Sequence, residues 1–151
     1  MLRYGRVLGE TNMRIGELGK ATGVDVETIR YYEKLGLLAV PSRPPTGYRV
    51  YGKQHLERLA FIRHCRALDI PLAEVRQLLD FLGQPTAECE NVDRLIDQQL
   101  ARVRTRINSL RALEHQLSAL RGCCAKPNVA ADCGILAELV TAAKQEGCAG
   151  D

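Results

Sequence analysis

Hydrophobic residues recur along the chain at helical spacing, in runs divided by glycine and proline. In IGELGKATG, Ile15 and Leu18 share a face and Gly23 marks the stop, because glycine readily takes the positive φ of a tight turn. A second run starts at once: Asp25 is placed to cap it, Val26, Ile29 and Tyr32 fall on one side, and Gly36 ends it. Two short helices joined so tightly predict a helix-turn-helix, whose second member can lie in the major groove of DNA. Helix pairs occur in any small bundle, so the segment that follows matters. From Val40 to Tyr51 a proline- and glycine-rich turn precedes the alternating Tyr48, Arg49, Val50 and Tyr51, the pattern of a small β hairpin or wing. Two more amphipathic helices are predicted, 54–68 with Leu56, Leu59, Ile62 and Cys65 on one face, and 71–82 with Pro71 in the first turn. Gly83, Gln84 and Pro85 then break the pattern.

Beyond that break the periodicity lengthens. No Gly or Pro occurs from Val92 to Arg121, and Ile96, Val103, Leu110 and Leu117 repeat every seven residues, joined first by Leu100 and Ile107 and then by Leu113 and Leu120. A helix of about 30 residues is roughly 45 Å long. It has a single apolar seam and no second helix of matching length in the chain, so a homodimer with a coiled-coil seam is expected. A last short helix is predicted from Ile135 to Lys144. The expected fold class is all-α with a small β wing: a winged helix-turn-helix domain followed by a long dimerisation helix. The chain divides into an arm over 1–12, the winged domain over 13–83, the dimerisation helix over 84–122, and a loop, short helix and tail over 123–151.

The 151 residues and 46% hydrophobic content suit one globular unit, or a small domain with an extension, and exclude a large multidomain enzyme. With no Trp and only two Phe, the core must be aliphatic. The net charge of +3 is unevenly placed: residues 13–66 hold ten Lys/Arg against five Asp/Glu, whereas residues 84–151 hold eight against nine. A basic N-terminal half points to a polyanion, because neutralised phosphates release counterions. Arg43 and Arg49 flank the wing turn, and Tyr31, Tyr48 and Tyr51 offer hydroxyls for phosphate oxygens, unless the rings merely glue the wing to the helices. The first twelve residues lack the apolar core of a secretion signal, and no stretch is long enough for a membrane span. A cytoplasmic protein without a membrane partner is expected.

In that compartment six cysteines imply metal or redox chemistry more than disulfides. Cys65, on an apolar helix face, reads as a buried small hydrophobe, and His55 and His64 have no partner at metal-site spacing. Cys148, between Gly147 and Ala149 near the end, is expected to be mobile. The rest gather at the ends of the long helix: Cys89 before it, Cys123 and Cys124 after it, and Cys133 past a loop containing Pro127. Cys89 and Cys124 are 35 residues apart, which is five heptads. That is roughly 50 Å of helix, too far for one ion within one chain. If two such helices pair antiparallel, Cys89 of one protomer meets Cys124 and Cys133 of the partner subunit, and two-fold symmetry makes a second site. Three thiolates favour Cd2+, Pb2+, Hg2+ or Zn2+ over Mg2+ or Ca2+, with Arg121 and nearby helix N-termini to offset the residual negative charge. Cys123 is either a fourth donor or a bystander. A purely structural metal is the competing reading. There is no Cys-x-x-Cys pair on a βαβ unit and no base beside a candidate nucleophile, so no enzyme is expected.

The stretches MRIGELGKATGVDVETIRYYEKLGLL, GYRVY and FIRHCRALDIPLAEVRQLL resemble the MerR family of metal-responsive transcription regulators, over residues 13–139. The resemblance implies a winged helix-turn-helix that binds promoter DNA as a dimer across an antiparallel coiled coil. It also implies an effector that bends and untwists the DNA, realigning the promoter for RNA polymerase, with repression without metal and activation with it. By motif, Thr28, Arg30 and Tyr31 in the second helix and Tyr48 and Arg49 in the wing would contact DNA, and Cys89, Cys124 and Cys133 match the family's three-thiolate positions. The monovalent copper and gold sensors carry serine at the Cys89 position, so Cys89 argues for a divalent ion. The ending Cys133-Gly-Ile-Leu136 is most similar to the cadmium- and lead-responsive branch. Zinc sensors share the Cys123-Cys124 pair but place a histidine where Asn128 stands, and mercury sensors share much of the spacing.

Overall fold

The computed structural model describes residues 12–41, 47–124 and 129–147. The arm up to residue 11, the wing turn with Arg43, the loop with Pro127 and Asn128, and Cys148 lie outside the described residues. The helices in order are α1 (Ile15–Thr22), α2 (Val26–Lys34), α3 (Lys53–Ala67), α4 (Leu72–Leu82), α5 (Glu90–Gly122) and α6 (Gly134–Gly147), with a 3-10 turn at Ala130–Asp132. The chain divides into two compact units, Met1–Leu95 and Ile96–Asp151.

In the first unit the helix-turn-helix closes as its glycines predict. Gly23 takes φ 72° and its N–H donates to Gly19 O at 2.8 Å. A Cβ on Gly19 would stand 2.7 Å from Val24 O, so only a residue without a side chain lets the turn fold back this closely. Helix α1 packs on α2 and α3, and α3 packs on α4. Their shared core is aliphatic, with Leu18, Ile29, Leu59, Ile62 and Val75 fully buried. Tyr32 and Tyr51 join that core, as do Val92 and Leu95 from the first turns of α5. Cys65 is buried in the same cluster, and burial pushes its thiol pKa up, as befits a small hydrophobe rather than a reactive thiolate.

Two details depart from the sequence pattern. Pro71 is the N-cap of α4 rather than a first-turn residue, and its carbonyl accepts from Glu74 and Val75. The wing forms no extended strand among the described residues. Instead Tyr51 makes an isolated antiparallel bridge to Met13 through backbone hydrogen bonds of 2.8 and 2.9 Å. A two-stranded hairpin alone is marginal in water, so the wing is held by pairing with the segment ahead of α1.

Helix α5 runs unbroken for 33 residues. Glu90 and Asp93 in its first turn and Arg121 in its last oppose the helix dipole, and Glu90 pairs with Arg94 at 3.4 Å one turn on. Its seam residues Ile96, Leu100, Val103, Ile107, Leu110, Leu113 and Leu117 are 39–58% exposed. Soluble proteins rarely leave a contiguous apolar face of this length uncovered. No helix among the described residues is long and apolar enough to cross a membrane.

Candidate nucleic-acid interface and thiol centre

The N-terminus of α2 is built around Asp25. Its carboxylate accepts the Thr28 backbone N–H at 2.8 Å and the Thr28 hydroxyl at 2.9 Å. The backbone bond first, and the hydroxyl second, hold the Asp25 carboxyl below its usual pKa. Thr28 is therefore fixed in its rotamer by the cap, with the hydroxyl oxygen still able to accept. Arg30 is exposed one turn along, and Tyr31 is 51% exposed with its ring 6.2 Å from that of the buried Tyr32. Thus α2 turns Tyr32 and Ile29 inward and presents Arg30 and Tyr31 outward, as a groove-reading helix requires.

The wing end meets α2 through one carboxylate. Glu33, with a side chain only 7% exposed, accepts the Tyr51 hydroxyl at 2.5 Å and Arg49 Nη1 at 3.2 Å. Tyr51 is fully buried, so of the three tyrosines it is the one that glues, and it offers no hydroxyl to a phosphate. Tyr48 is exposed, and the Arg14 guanidinium lies 4.5 Å from its ring centroid. Arg14, Arg30, Lys34, Tyr48 and Arg49 line one cleft between α2 and the wing, an arrangement suited to a phosphate backbone.

Burial, reinforced by the hydrogen bond to Glu33, pushes the Tyr51 phenol up to about 12. A raised folded-state value means that the native state retains the proton that the unfolded chain releases from about pH 10. The Tyr51 contribution is therefore complete below pH 10 and lost as pH climbs towards 12. In chemical denaturation, Tyr51→Phe is expected to be less stable than wild type by about 1–3 kcal/mol at neutral pH. That gap should narrow between pH 10 and 12; a pH-independent gap contradicts the assignment.

Several residues that hold this surface escape a sequence reading. Arg58 Nε donates to Leu37 O at 2.5 Å, and Arg76 Nη2 donates to Leu35 O, so two arginines from α3 and α4 grip the carbonyls just past the C-terminus of α2. Part of the basic excess is thereby spent inside the fold rather than on a polyanion. His55, in the first turn of α3, accepts the N–H of the N-cap Gly52 at Nδ1, 3.1 Å away, and its Nε2 lies 3.1 Å from Ala39 O, so it secures the start of the helix from within. Glu33 alone left a signal: it is one turn after Ile29 on the inward face of α2, where a carboxylate needs a partner.

Of the thiols, Cys89 is exposed at the N-terminal end of α5, with its carbonyl accepting from Asp93 at 3.0 Å. Past the other end, Cys123 is exposed and donates to Ala119 O at 3.5 Å, whereas Cys124 and Cys133 are half-buried. Arg121 Nη1 donates to Cys124 O at 3.2 Å. The backbone of residue 134 packs directly on that of Cys123, which brings the two ends of the loop holding Cys124 and Cys133 together. Among the described residues, no group of three or more His, Cys, Asp or Glu gathers as a metal cage.

Comparison with known proteins agrees with the architecture. The family profile described as MerR HTH family regulatory protein matches residues 13–82, and that described as MerR, DNA binding matches residues 56–120. The HTH-type transcriptional regulator ZntR homolog of Haemophilus influenzae is 44% identical over 109 residues, 72% of this chain and 81% of that protein. ZntR of Escherichia coli strain K12 is 35% identical over 139 residues, covering 89% of this chain and 99% of its own. The transcription regulator PbrR691 from Ralstonia metallidurans CH34, solved in complex with lead(II), superposes with a TM-score of 0.73 at 47% identity, over 84% of this chain and 98% of that one. With a glycine-closed helix-turn-helix, a carboxylate-anchored wing and a long helix bearing an uncovered seam, the chain belongs to the MerR family of helix-turn-helix regulatory proteins.

Proposed function

We propose that this chain is a cytoplasmic, metal-dependent transcription regulator that binds promoter DNA as a homodimer and activates heavy-metal resistance or efflux genes on binding Cd2+ or Pb2+. The observation that carries the dimer is the symmetry of the α5 seam. Ile107 apart, the seam residues from Ile96 through Leu100, Val103, Leu110 and Leu113 to Leu117 are spaced by four, three, seven, three and four, the same in reverse. Cys89 stands seven residues before Ile96 and Cys124 seven after Leu117, which continues the palindrome. Two copies laid antiparallel in that register set these six residues against one another in pairs, leave Ile107 beside Arg106 at the centre, and bring Cys89 of one protomer to Cys124 and Cys133 of the partner subunit. Thr28, Arg30, Tyr31, Tyr48 and Arg49 serve as DNA contacts, and RNA polymerase is engaged indirectly, through the promoter.

The donor chemistry fits a soft cation: sulfur at every position, two of the thiols half-buried, and Arg121 beside Cys124 to offset negative charge. When bound, the ion ties thiolates of both subunits into one unit. Cys123 is the candidate fourth donor. The 47% identity to a regulator solved with lead(II) supports Pb2+ and Cd2+, while the 44% identity to a ZntR homolog keeps Zn2+, and with it Hg2+, as the second reading.

Transcription in vitro from a bound promoter, titrated separately with Cd2+, Pb2+, Hg2+ and Zn2+, tests the proposal. Activation at the lowest concentration by Cd2+ or Pb2+ is expected. Equal output with and without every metal, together with dissociation of the dimer on chelation, would instead indicate a structural metal.

A further inference from the structure

We infer that Gly134 is a positioning residue for the effector site: by packing without a side chain against the Cys123 backbone, it holds Cys124 and Cys133 together before any ion arrives. The inference rests on the thiolate reading above and adds to it a residue with no donor atom of its own.

A Cβ built on Gly134 would collide with the carbonyl oxygen of Cys123, and would stand 3.3 Å from its carbonyl carbon and 3.5 Å from its Cβ. The obstacle is backbone, which cannot swing aside as a flexible side chain would. Backbone conformation is not the reason for glycine here, since the positive-φ glycines among the described residues are Gly23, Gly36 and Gly47. Helix propensity is not the reason either. Gly134 opens α6, where alanine is the better helix former. What remains is space: any side chain at residue 134 forces the start of α6 away from the end of α5.

That contact falls between the two donors. Cys124 follows Cys123, and Cys133 precedes Gly134, so each sulfur-bearing residue is one peptide from the point of closest approach. The neighbouring hydrogen bonds hold both in place. Arg121 grips the Cys124 carbonyl at 3.2 Å, while Cys133 donates its N–H to Ala130 O at 3.3 Å and accepts from Ala137 at 3.1 Å. A loop closed only by its ligand would have to be ordered on binding, at a cost in conformational entropy. Here the closure is made by backbone packing, and the pair is preorganised.

The test uses the full-length dimer, with Cd2+ as probe and the ultraviolet thiolate-to-metal absorption band read in competition with a chelator. Gly134→Ala is compared with wild type and with Gly122→Ala, at a position where an added Cβ meets no atom within 4 Å. Gly134→Ala is expected to bind Cd2+ at least about tenfold more weakly, the scale on which ligand-orienting groups act, with Gly122→Ala unchanged. Affinity for a metal-free operator duplex, selected from a random library, should be equal in all three. Wild-type Cd2+ affinity in Gly134→Ala overturns the inference. Loss of its operator binding does so too, because the fault would then be global. If wild type itself gives no thiolate band with Cd2+, the thiolate reading fails and takes the inference with it, an outcome distinct from the other two.

Discussion

Mixed dimers of one Cys89→Ser protomer and one Cys133→Ser protomer are expected to bind a single Cd2+ tightly, whereas homodimers of either variant bind none at the same concentration. In the proposed register each site draws Cys89 from one chain and Cys124 with Cys133 from the other. In the mixed dimer both defects fall in one site and leave the second complete. If all three sulfurs came from one chain, the defects would fall in different sites and neither would bind. Losing one of three thiolates should weaken the site by more than the roughly 10–100-fold that loss of an orienting group costs. Differently tagged protomers, refolded together and purified by both tags, can be titrated by the thiolate absorption band. A mixed dimer that binds no Cd2+ would sink the shared site. In transcription assays each single Cys→Ser homodimer should remain uninduced while its metal-free operator binding persists.

The second large effect concerns the seam itself. Leu110 is 56% exposed on the single chain, and the proposed antiparallel register would pair it with Val103 of the partner subunit. Leu110→Lys removes a buried leucine and buries an unpaired charge, at about 3 kcal/mol or more per layer. Two-fold symmetry repeats the change, so the dimer should weaken by roughly 10⁴-fold, enough to give monomers at micromolar concentration in sedimentation. Operator binding should fall with it, since two half-sites are then read by separate molecules. Adding Val103→Glu places a carboxylate opposite each new ammonium only if the strands run antiparallel, and dimers should then return in part. In a parallel pair Glu would face Glu and Lys would face Lys, and the double variant should stay monomeric.

The features that were legible beforehand are those set by near neighbours in the chain. Gly23 and Asp25 mark the helix-turn-helix because a glycine stop and an aspartate cap act within one turn, and both stand where the pattern placed them. Cys65 was separable from the other thiols because its face of α3 is apolar, and it is buried. The length of α5 followed from thirty residues without a breaker. Tyr31, Tyr48 and Tyr51 were not separable: all three follow the same chemistry, and only the Glu33 contact and full burial distinguish Tyr51.

The sequence by itself determined where the helices lie to within a few residues, which face of each is apolar, and that a long seam lacks a partner within the chain. Those properties depend on side-chain periodicity and capping over a few residues. Tertiary structure alone decided which charges are free. Arg49 reaches Glu33 across 16 residues, Arg58 reaches Leu37 across 21 and Arg76 reaches Leu35 across 41, so arginines that look alike in the chain differ in whether they face water or a carbonyl. It also decided that residue 134 leaves no room for a side chain, since the Cys123 carbonyl that stands against it is distant from it in the chain. Local rules set elements, but contacts between elements depend on how close two backbones come, which is a property of the assembled core.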